Sequence, residues 1–216
     1  MAKVIGVMGE SGSGKTTSMR NLDPQTTYYF DCDKKGLSWR GWKKQYNKEN
    51  KNYKCVDDKD KVLSILAGIN EKSPNIKVVV IDTMNGIMVA DEMRRMKEKG
   101  YDKWADLAFS VYSIIDFALR MRDDLIVVLV FHSQTVRDDS GYMFTSIKTN
   151  GQKLNKIGLE TKLPILLHAK CIDGEYVFET HNECSTSKAP LGLFDKKTIP
   201  NDLNEVIKAV EEYENG

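Results

Sequence analysis

The sequence predicts an α/β fold with a mainly parallel central sheet, helices on both faces and a β-hairpin towards the C-terminus. Three observations carry this. Val4-Ile5-Gly6-Val7-Met8, Val78-Val79-Val80-Ile81 and Leu125-Ile126-Val127-Val128-Leu129-Val130-Phe131 are nearly continuous in apolar, largely β-branched residues, as strands buried on both faces of a parallel sheet are. Amphipathic helical patterns lie between such runs, and alternating strands and helices imply a doubly wound sheet. Finally, Asp173-Gly174 separates two alternating runs, a strong hairpin signal.

Five strands are expected, at residues 3–8, 27–31, 77–82, 125–131 and 164–170. Val62, Ile65, Leu66 and Ile69 fall at helical spacing, and a charged helix is expected over residues 87–99. Trp104, Leu107, Ala108, Val111, Ile115, Ala118 and Leu119 form the longest helical stripe. Leu203, Val206, Ile207 and Val210 repeat the pattern, with Asp202 and Glu205 as a capping box behind Pro200. No internal repeat or linker divides the chain, so residues 1–216 are expected to form a single domain.

Composition narrows the class. Hydrophobic residues make up 41% and charged residues 29%, ordinary soluble globular usage. No apolar run approaches the roughly 18 residues of a membrane span, and no signal peptide is recognisable, so a cytoplasmic protein is expected. Cys32, Cys55, Cys171 and Cys184 show no metal-ligand spacing, which argues against structural zinc. The total charge of +1 hides a basic segment: residues 34–54 hold eight Lys and Arg and one acid, Glu49, which leaves the remainder at −6.

The chemistry is announced at the end of the first strand. Gly9-Glu10-Ser11-Gly12-Ser13-Gly14-Lys15-Thr16 matches G-x-x-x-x-G-K-[ST] in full. Its glycines let the backbone wrap and aim N–H groups at phosphate oxygens. A helix opening at residues 15–20 would add positive potential. Lys15 is expected on the β- and γ-phosphates of ATP, the Thr16 hydroxyl on Mg²⁺, and Thr17 beside them. Asp82, the carboxylate that ends Val78-Val79-Val80-Ile81, is the expected second magnesium residue.

Several subclasses are argued down. There is no N/T-K-x-D motif, no D-x-x-G after the magnesium aspartate, no LSGGQ-like stretch and no arginine-rich lid. Thr83 stands where many motor ATPases place a glutamate, so the water-orienting acid must come from elsewhere. Asp33 is the candidate, with Asp31 as the alternative, because strand C-termini converge on the nucleotide. At the end of the fourth strand Gln134 is the preferred γ-phosphate sensor and His132 the second choice.

This order of cradle, acid after strand two, magnesium aspartate Asp82 and strand ending in Gln134 resembles the RecA-like recombinase ATPases over about residues 1–180. In that family a flexible loop follows the glutamine and lines the DNA path. Here residues 135–150 correspond, followed by Gly151-Gln152-Lys153-Leu154-Asn155-Lys156 as the start of a helix. More narrowly, Ser187-Lys188-Ala189-Pro190-Leu191-Gly192-Leu193-Phe194 and Ile199-Pro200-Asn201-Asp202-Leu203 are similar to compact bacteriophage RecA-like P-loop ATPases, including the single-strand annealing group. The resemblance implies a RecA-like P-loop NTPase fold, single-stranded DNA binding, a role in annealing or recombination, and a homo-oligomer. In this the chain is expected to depart from full-length recombinases, with no extra N-terminal oligomerisation domain.

Two segments are candidates for nucleic acid. Trp39, Trp42, Tyr46 and Tyr53 interleave with Lys34, Lys35, Arg40, Lys43, Lys44, Lys48, Lys51 and Lys54, which suits sequence-tolerant single-strand binding or, equally, a solvated loop with its aromatics on the core. The other is the stretch with Lys148, Lys153 and Lys156. Lys170 and Lys188 are candidates for reaching a neighbouring subunit's γ-phosphate. Two other readings remain open: a small-molecule or nucleotide kinase, and a nucleotide-dependent interaction module that does not hydrolyse.

Overall fold

The structure, a computed structural model, describes residues 1–149 and 158–216. Its strands are β1 (Lys3–Gly9), β2 (Thr27–Asp31), β3 (Tyr53–Cys55), β4 (Val78–Asp82), β5 (Ile126–Arg137), β6 (Met143–Ile147), β7 (Ile165–Ile172), β8 (Glu175–Glu179) and β9 (Thr198–Pro200). They order as β3-β2-β4-β5-β1-β7-β8-β9, with β6 on the extension of β5. All pairings from β3 across to β7 are parallel, while β6, β8 and β9 add antiparallel. The β7–β8 turn is Asp173-Gly174, both at positive φ (51° and 85°), as a two-residue hairpin requires.

The helices are α1 (Trp42–Gln45), α2 (Lys59–Lys72), α3 (Met84–Arg94), α4 (Tyr101–Leu119) and α5 (Leu203–Asn215). Side chains alternate across a strand, so the apolar runs feed two cores. On one face Val62 and Leu66 of α2, Ile87 of α3, and Val111 and Ile115 of α4 cover Val4, Val79, Ile81, Val127 and Leu129. On the other face Leu203, Val206, Ile207 and Val210 of α5 join Met19, Leu22 and Tyr46 over Ile5, Val7, Val80 and Val128. Among the described residues, one face thus carries three long helices, and the other carries α5, the short α1 and irregular chain. None of the helices among the described residues is long and apolar enough to cross a membrane.

Local signals account for most helix starts. Asp58 caps α2 by accepting from the Lys61 amide, and Thr83 caps α3 by accepting from Gly86. Asp202 caps α5 through the Asn204 amide. The charged helix begins earlier and ends earlier than the sequence suggests, at Met84–Arg94, because the Thr83 cap sets its start.

Two expectations are corrected. The segment after the cradle does not open an α-helix; it makes one turn and a short 3-10 helix, Thr17–Met19. Only eight residues separate Lys15 from Pro24, and Asp23, directly before proline, is disfavoured in helical geometry. The region after Gln134 is also not a loop from residue 135. β5 runs on to Arg137 and turns back as β6. Asp138 organises the turn by accepting from the Ser140 and Tyr142 amides, and Gly141 takes φ 91°. Asn150, Gly151, Gln152, Lys153, Leu154, Asn155 and Lys156 lie outside the described residues.

Arg122 closes the lower end of α2. Its Nη1 donates to the Ile69 carbonyl at 2.6 Å and its Nη2 to Ser73 at 2.9 Å and to Ile76, while Nε pairs with Asp124 at 2.7 Å. One planar fork thereby draws three carbonyls together, of which Ile69 and Ser73 also accept the backbone amides of Ser73 and Ile76. Replacing Arg122 by Ala is expected to lower unfolding stability by about 2 kcal/mol in urea titration, as three part-buried carbonyls lose a charged donor. Arg122→Lys should recover little of it, because one ammonium cannot reach three carbonyls.

Candidate nucleotide site

The cradle leaves the C-terminal end of β1 at the centre of the sheet, between β5 and β7. Gly12 and Gly14 adopt φ 81° and 87°, which only glycine takes without strain. Lys15 is 7% exposed, and its Nζ curls back to donate to the carbonyls of Gly9 (2.8 Å) and Glu10 (2.5 Å). Burial pushes its pKa down to about 8 against the opposing pull of Asp82. The ammonium is thus held inside the glycine-rich loop.

Asp82 ends β4 and is the hub of the site. Its Oδ2 accepts from the Thr16 hydroxyl at 2.7 Å and from the Tyr29 hydroxyl at 2.6 Å. Its Oδ1 is buried with no hydrogen-bond partner among the described residues. Burial raises the Asp82 pKa, and the Tyr29 and Thr16 donors oppose the rise. An orphaned carboxylate oxygen beside a threonine hydroxyl is the donor set a hard, oxygen-loving cation requires. The residues therefore fit Mg²⁺, which Thr16 and Asp82 would hold.

Tyr29 was not a candidate from the sequence. It is fully buried among aromatic rings, 5.6 Å from Tyr46 and 6.4 Å from Tyr53 between centroids. Its strand reads as plain core, and only the β2–β4 register, which pairs Tyr29 with Val80, brings its hydroxyl to Asp82.

The two acids after strand two part company. Asp31 is spent on structure: its Oδ2 accepts from the Tyr53 hydroxyl at 2.6 Å and the Gly36 amide at 2.8 Å. Asp33 lies at the start of α3, where Oδ1 accepts from Thr83 (3.0 Å) and Oδ2 from the Lys35 ammonium (2.6 Å). Gly86 permits this approach, since a Cβ there would meet both Asp33 Oδ1 and the Cys32 carbonyl at 2.7 Å. Lys35, counted in the sequence only as part of a basic run, joins the site through Asp33, and its charge is felt at both Asp82 and Lys15.

On β5, His132 pairs in register with Gly9, directly beside the cradle. Burial, then the charge of Lys15, lowers its pKa. Gln134 sits two residues farther out, where its amide donates to the Ile147 carbonyl of β6 at 3.3 Å. Asn85 ties these parts together: its Oδ1 accepts from the His132 amide and its Nδ2 donates to the Lys148 carbonyl. Two residues separate it from Asp82, so the end of β4 and the β5–β6 branch are joined by one buried amide.

Away from the cradle, the basic segment divides by chemistry. Tyr46 is 1% exposed, and Trp39, Trp42 and Tyr53 pack on the second core. All eight basic residues of the segment are exposed. Lys170 is paired with Glu179 at 2.9 Å, and the Lys188 backbone bridges to Leu166 beside β7.

Lys15 supplies a pH test. A bound triphosphate stabilises the ammonium, so nucleotide binding takes up a proton once the free Lys15 has begun to lose its own. Affinity is expected to be flat below about pH 7 and to fall as pH rises through about 8. Calorimetry in buffers of different ionisation heat should show proton uptake there. Lys15→Met should bind more weakly at every pH and lose that dependence.

A search of curated proteins finds no match for the chain. A family model described as an AAA domain matches residues 1–188. With that match over most of its length, and with the cradle and the buried aspartate in one P-loop α/β fold, the chain belongs to the AAA domain family of nucleotide-binding ATPases.

Proposed function

We propose that this protein is a Mg²⁺-dependent ATPase that binds single-stranded DNA and assists annealing or recombination as a homo-oligomer. The observation that carries the catalytic part is Asp82, with one oxygen shared by Thr16 and Tyr29 and the other without a partner among the described residues. Lys15 and the cradle amides hold the β- and γ-phosphates, and Thr16 and Asp82 hold the metal. Bound there, Mg²⁺ supplies charge neutralisation across the phosphate oxygens. Asp33, fixed by Thr83 and Lys35, orients the attacking water. His132, beside Gly9, senses the γ-phosphate and passes its loss through Asn85 to the β5–β6 hairpin.

The DNA part rests on the exposed lysines of residues 34–54 and on the resemblance to compact annealing ATPases. Because the aromatics of that segment are turned into the core, its contacts are with phosphates and not with stacked bases. Such binding is steeply salt-dependent and weakly sequence-dependent. Lys188, on the β7 side of the sheet, is the candidate to reach a neighbouring subunit's nucleotide, as Lys170 is engaged by Glu179 within its own chain.

ATP turnover measured with and without Mg²⁺ and single-stranded DNA tests the proposal. Metal-dependent turnover stimulated several-fold by DNA is expected, and Asp82→Asn should lower it by about a hundredfold or more. Phosphate transfer to a nucleotide acceptor instead of water would make the protein a kinase. Tight ATP binding without turnover would make it an interaction module. Replacing Lys43, Lys44, Lys48 and Lys51 together by Ala should weaken DNA binding and flatten its salt dependence. If single-strand affinity survives that change, the segment plays no part.

A further inference from the structure

At the edge of the sheet, away from the cradle, the end of β3 and the head of α2 border a cavity of about 370 Å³. Lys34, Lys54, Asp57, Asp58, Lys61 and Arg94 line it. They come from four places in the chain: the loop after β2, β3 itself, the start of α2 and the last residue of α3. Small-molecule sites commonly span about 300–1,000 Å³.

Four basic groups here meet two acids, and both acids are already engaged. Asp57 Oδ2 pairs with Lys34 at 2.6 Å, and its Oδ1 pairs with Arg94 at 2.5 Å. Asp58 caps α2 by accepting from the Lys61 amide at 3.0 Å. The ammonium groups of Lys54 and Lys61 are therefore without an acidic partner among the described residues. All four basic residues are exposed, so their charged ends are open to a ligand. Like charges gathered around one hollow repel each other. An anion between them would turn that repulsion into attraction.

Two routes tie this cavity to the nucleotide site. Lys34 takes a left-handed backbone, φ 58°, and the two consecutive lysines part there. Lys34 reaches Asp57 in the cavity, whereas Lys35 reaches Asp33 Oδ2 at 2.6 Å. The second route is α3. Thr83 at its head donates to Asp33 at 3.0 Å, and Arg94 at its end holds Asp57. Asp33 and Asp57 are thus joined both by adjacent lysines and by one helix.

We propose that this cavity binds a phosphate group, and that its occupancy is relayed to Asp33 through Lys34, Lys35 and α3. The relay rests on the proposed role of Asp33 in orienting water; the binding site does not. Lys54 and Lys61 bring charges that no acid has claimed, and Arg94 adds a planar guanidinium suited to phosphate oxygens. Exposed ion pairs are weak, so a phosphate draws Lys34 away from Asp57. The loop that carries Lys35 then shifts against Asp33. By linkage, ATP in the cradle and phosphate at the sheet edge alter each other's affinity. Two sources carry the required chemistry, the backbone of single-stranded DNA and a small phosphorylated molecule.

The test is calorimetric titration of the full chain, its cradle saturated with Mg²⁺ and a non-hydrolysable ATP analogue, with inorganic phosphate or with oligothymidylate. Lys61→Glu should weaken binding by about tenfold or more, and Lys61→Arg should stay near wild type. An acid in the first turn suits a helix start, so Lys61→Glu keeps the fold. In wild type, the probe should change ATP turnover by about fivefold. Lys34→Gly accepts the left-handed backbone and removes the ammonium, and it should abolish that change. Phosphate displaced by oligothymidylate identifies a nucleic-acid backbone as the source; phosphate bound without such displacement identifies a small molecule. Unchanged affinity in Lys61→Glu, or no binding of either probe to wild type, would overturn the site and leave the cradle standing. Binding without any effect on wild-type turnover would refute the relay. A chain with no ATP turnover fails as an ATPase and the relay fails with it, whereas the titrations judge the cavity independently.

Discussion

The site turns on a single buried carboxylate. Asp82 sits at the end of an apolar strand where an isolated charge would cost several kcal/mol. The fold tolerates it because hydroxyls arrive from two separate elements, Tyr29 from β2 and Thr16 from the cradle. Both bond the same oxygen and leave the other bare. That asymmetry joins structure to function: the shared oxygen locks β2, β4 and the cradle together, and the bare one is available to a metal's coordination shell. Stability and chemistry are thus drawn from one residue.

Sheet order decides what else reaches this point. β5 lies between β1 and β4, so the strand that carries His132 separates the cradle from Asp82. A side chain on β5 is placed to feel both, and the lowered pKa of His132 reflects burial and then the Lys15 charge. The extension of β5 into the β5–β6 hairpin carries the same strand outward, and Asn85 anchors its base to α3. A change at the end of β4 has a short, hydrogen-bonded route to an exposed hairpin. On the other side, the cradle exits into a brief turn, which Arg20 and Asn21 fasten to the chain before α5. The nucleotide site is therefore framed by the first and last parts of the chain.

The basic segment shows how composition and structure answer different questions. Its lysines and aromatics alternate closely enough to suggest a stacking platform. In the fold Tyr46, Trp39, Trp42 and Tyr53 fill the face of the sheet on which α5 is the one long helix among the described residues. With too few helices on that side, the loop supplies the missing apolar area, and its charges remain in water. Burial of large rings is worth about 1.5–3 kcal/mol each, more than exposed stacking sites without a ligand would return.

The sequence by itself determined the parallel α/β architecture, the cradle from Gly9 to Thr16, Asp82 and the Asp173-Gly174 hairpin, because each is a local pattern. A β-branched run, a glycine spacing, a strand-ending acid and a turn dipeptide need no distant partner to be recognised. The extension of β5 was legible too, since Asp138-Asp139-Ser140-Gly141 is a turn signal, but the resemblance to a family with a loop there pointed the other way. What the tertiary structure alone decided were relations between residues far apart in the chain: Tyr29 with Asp82, Lys35 with Asp82, Asn85 with His132 and Lys148, and Asn201 with Gly14. Each pairs side chains whose own surroundings look like ordinary core or surface. Strand register and the long return of the C-terminus bring them together, and no local periodicity encodes either.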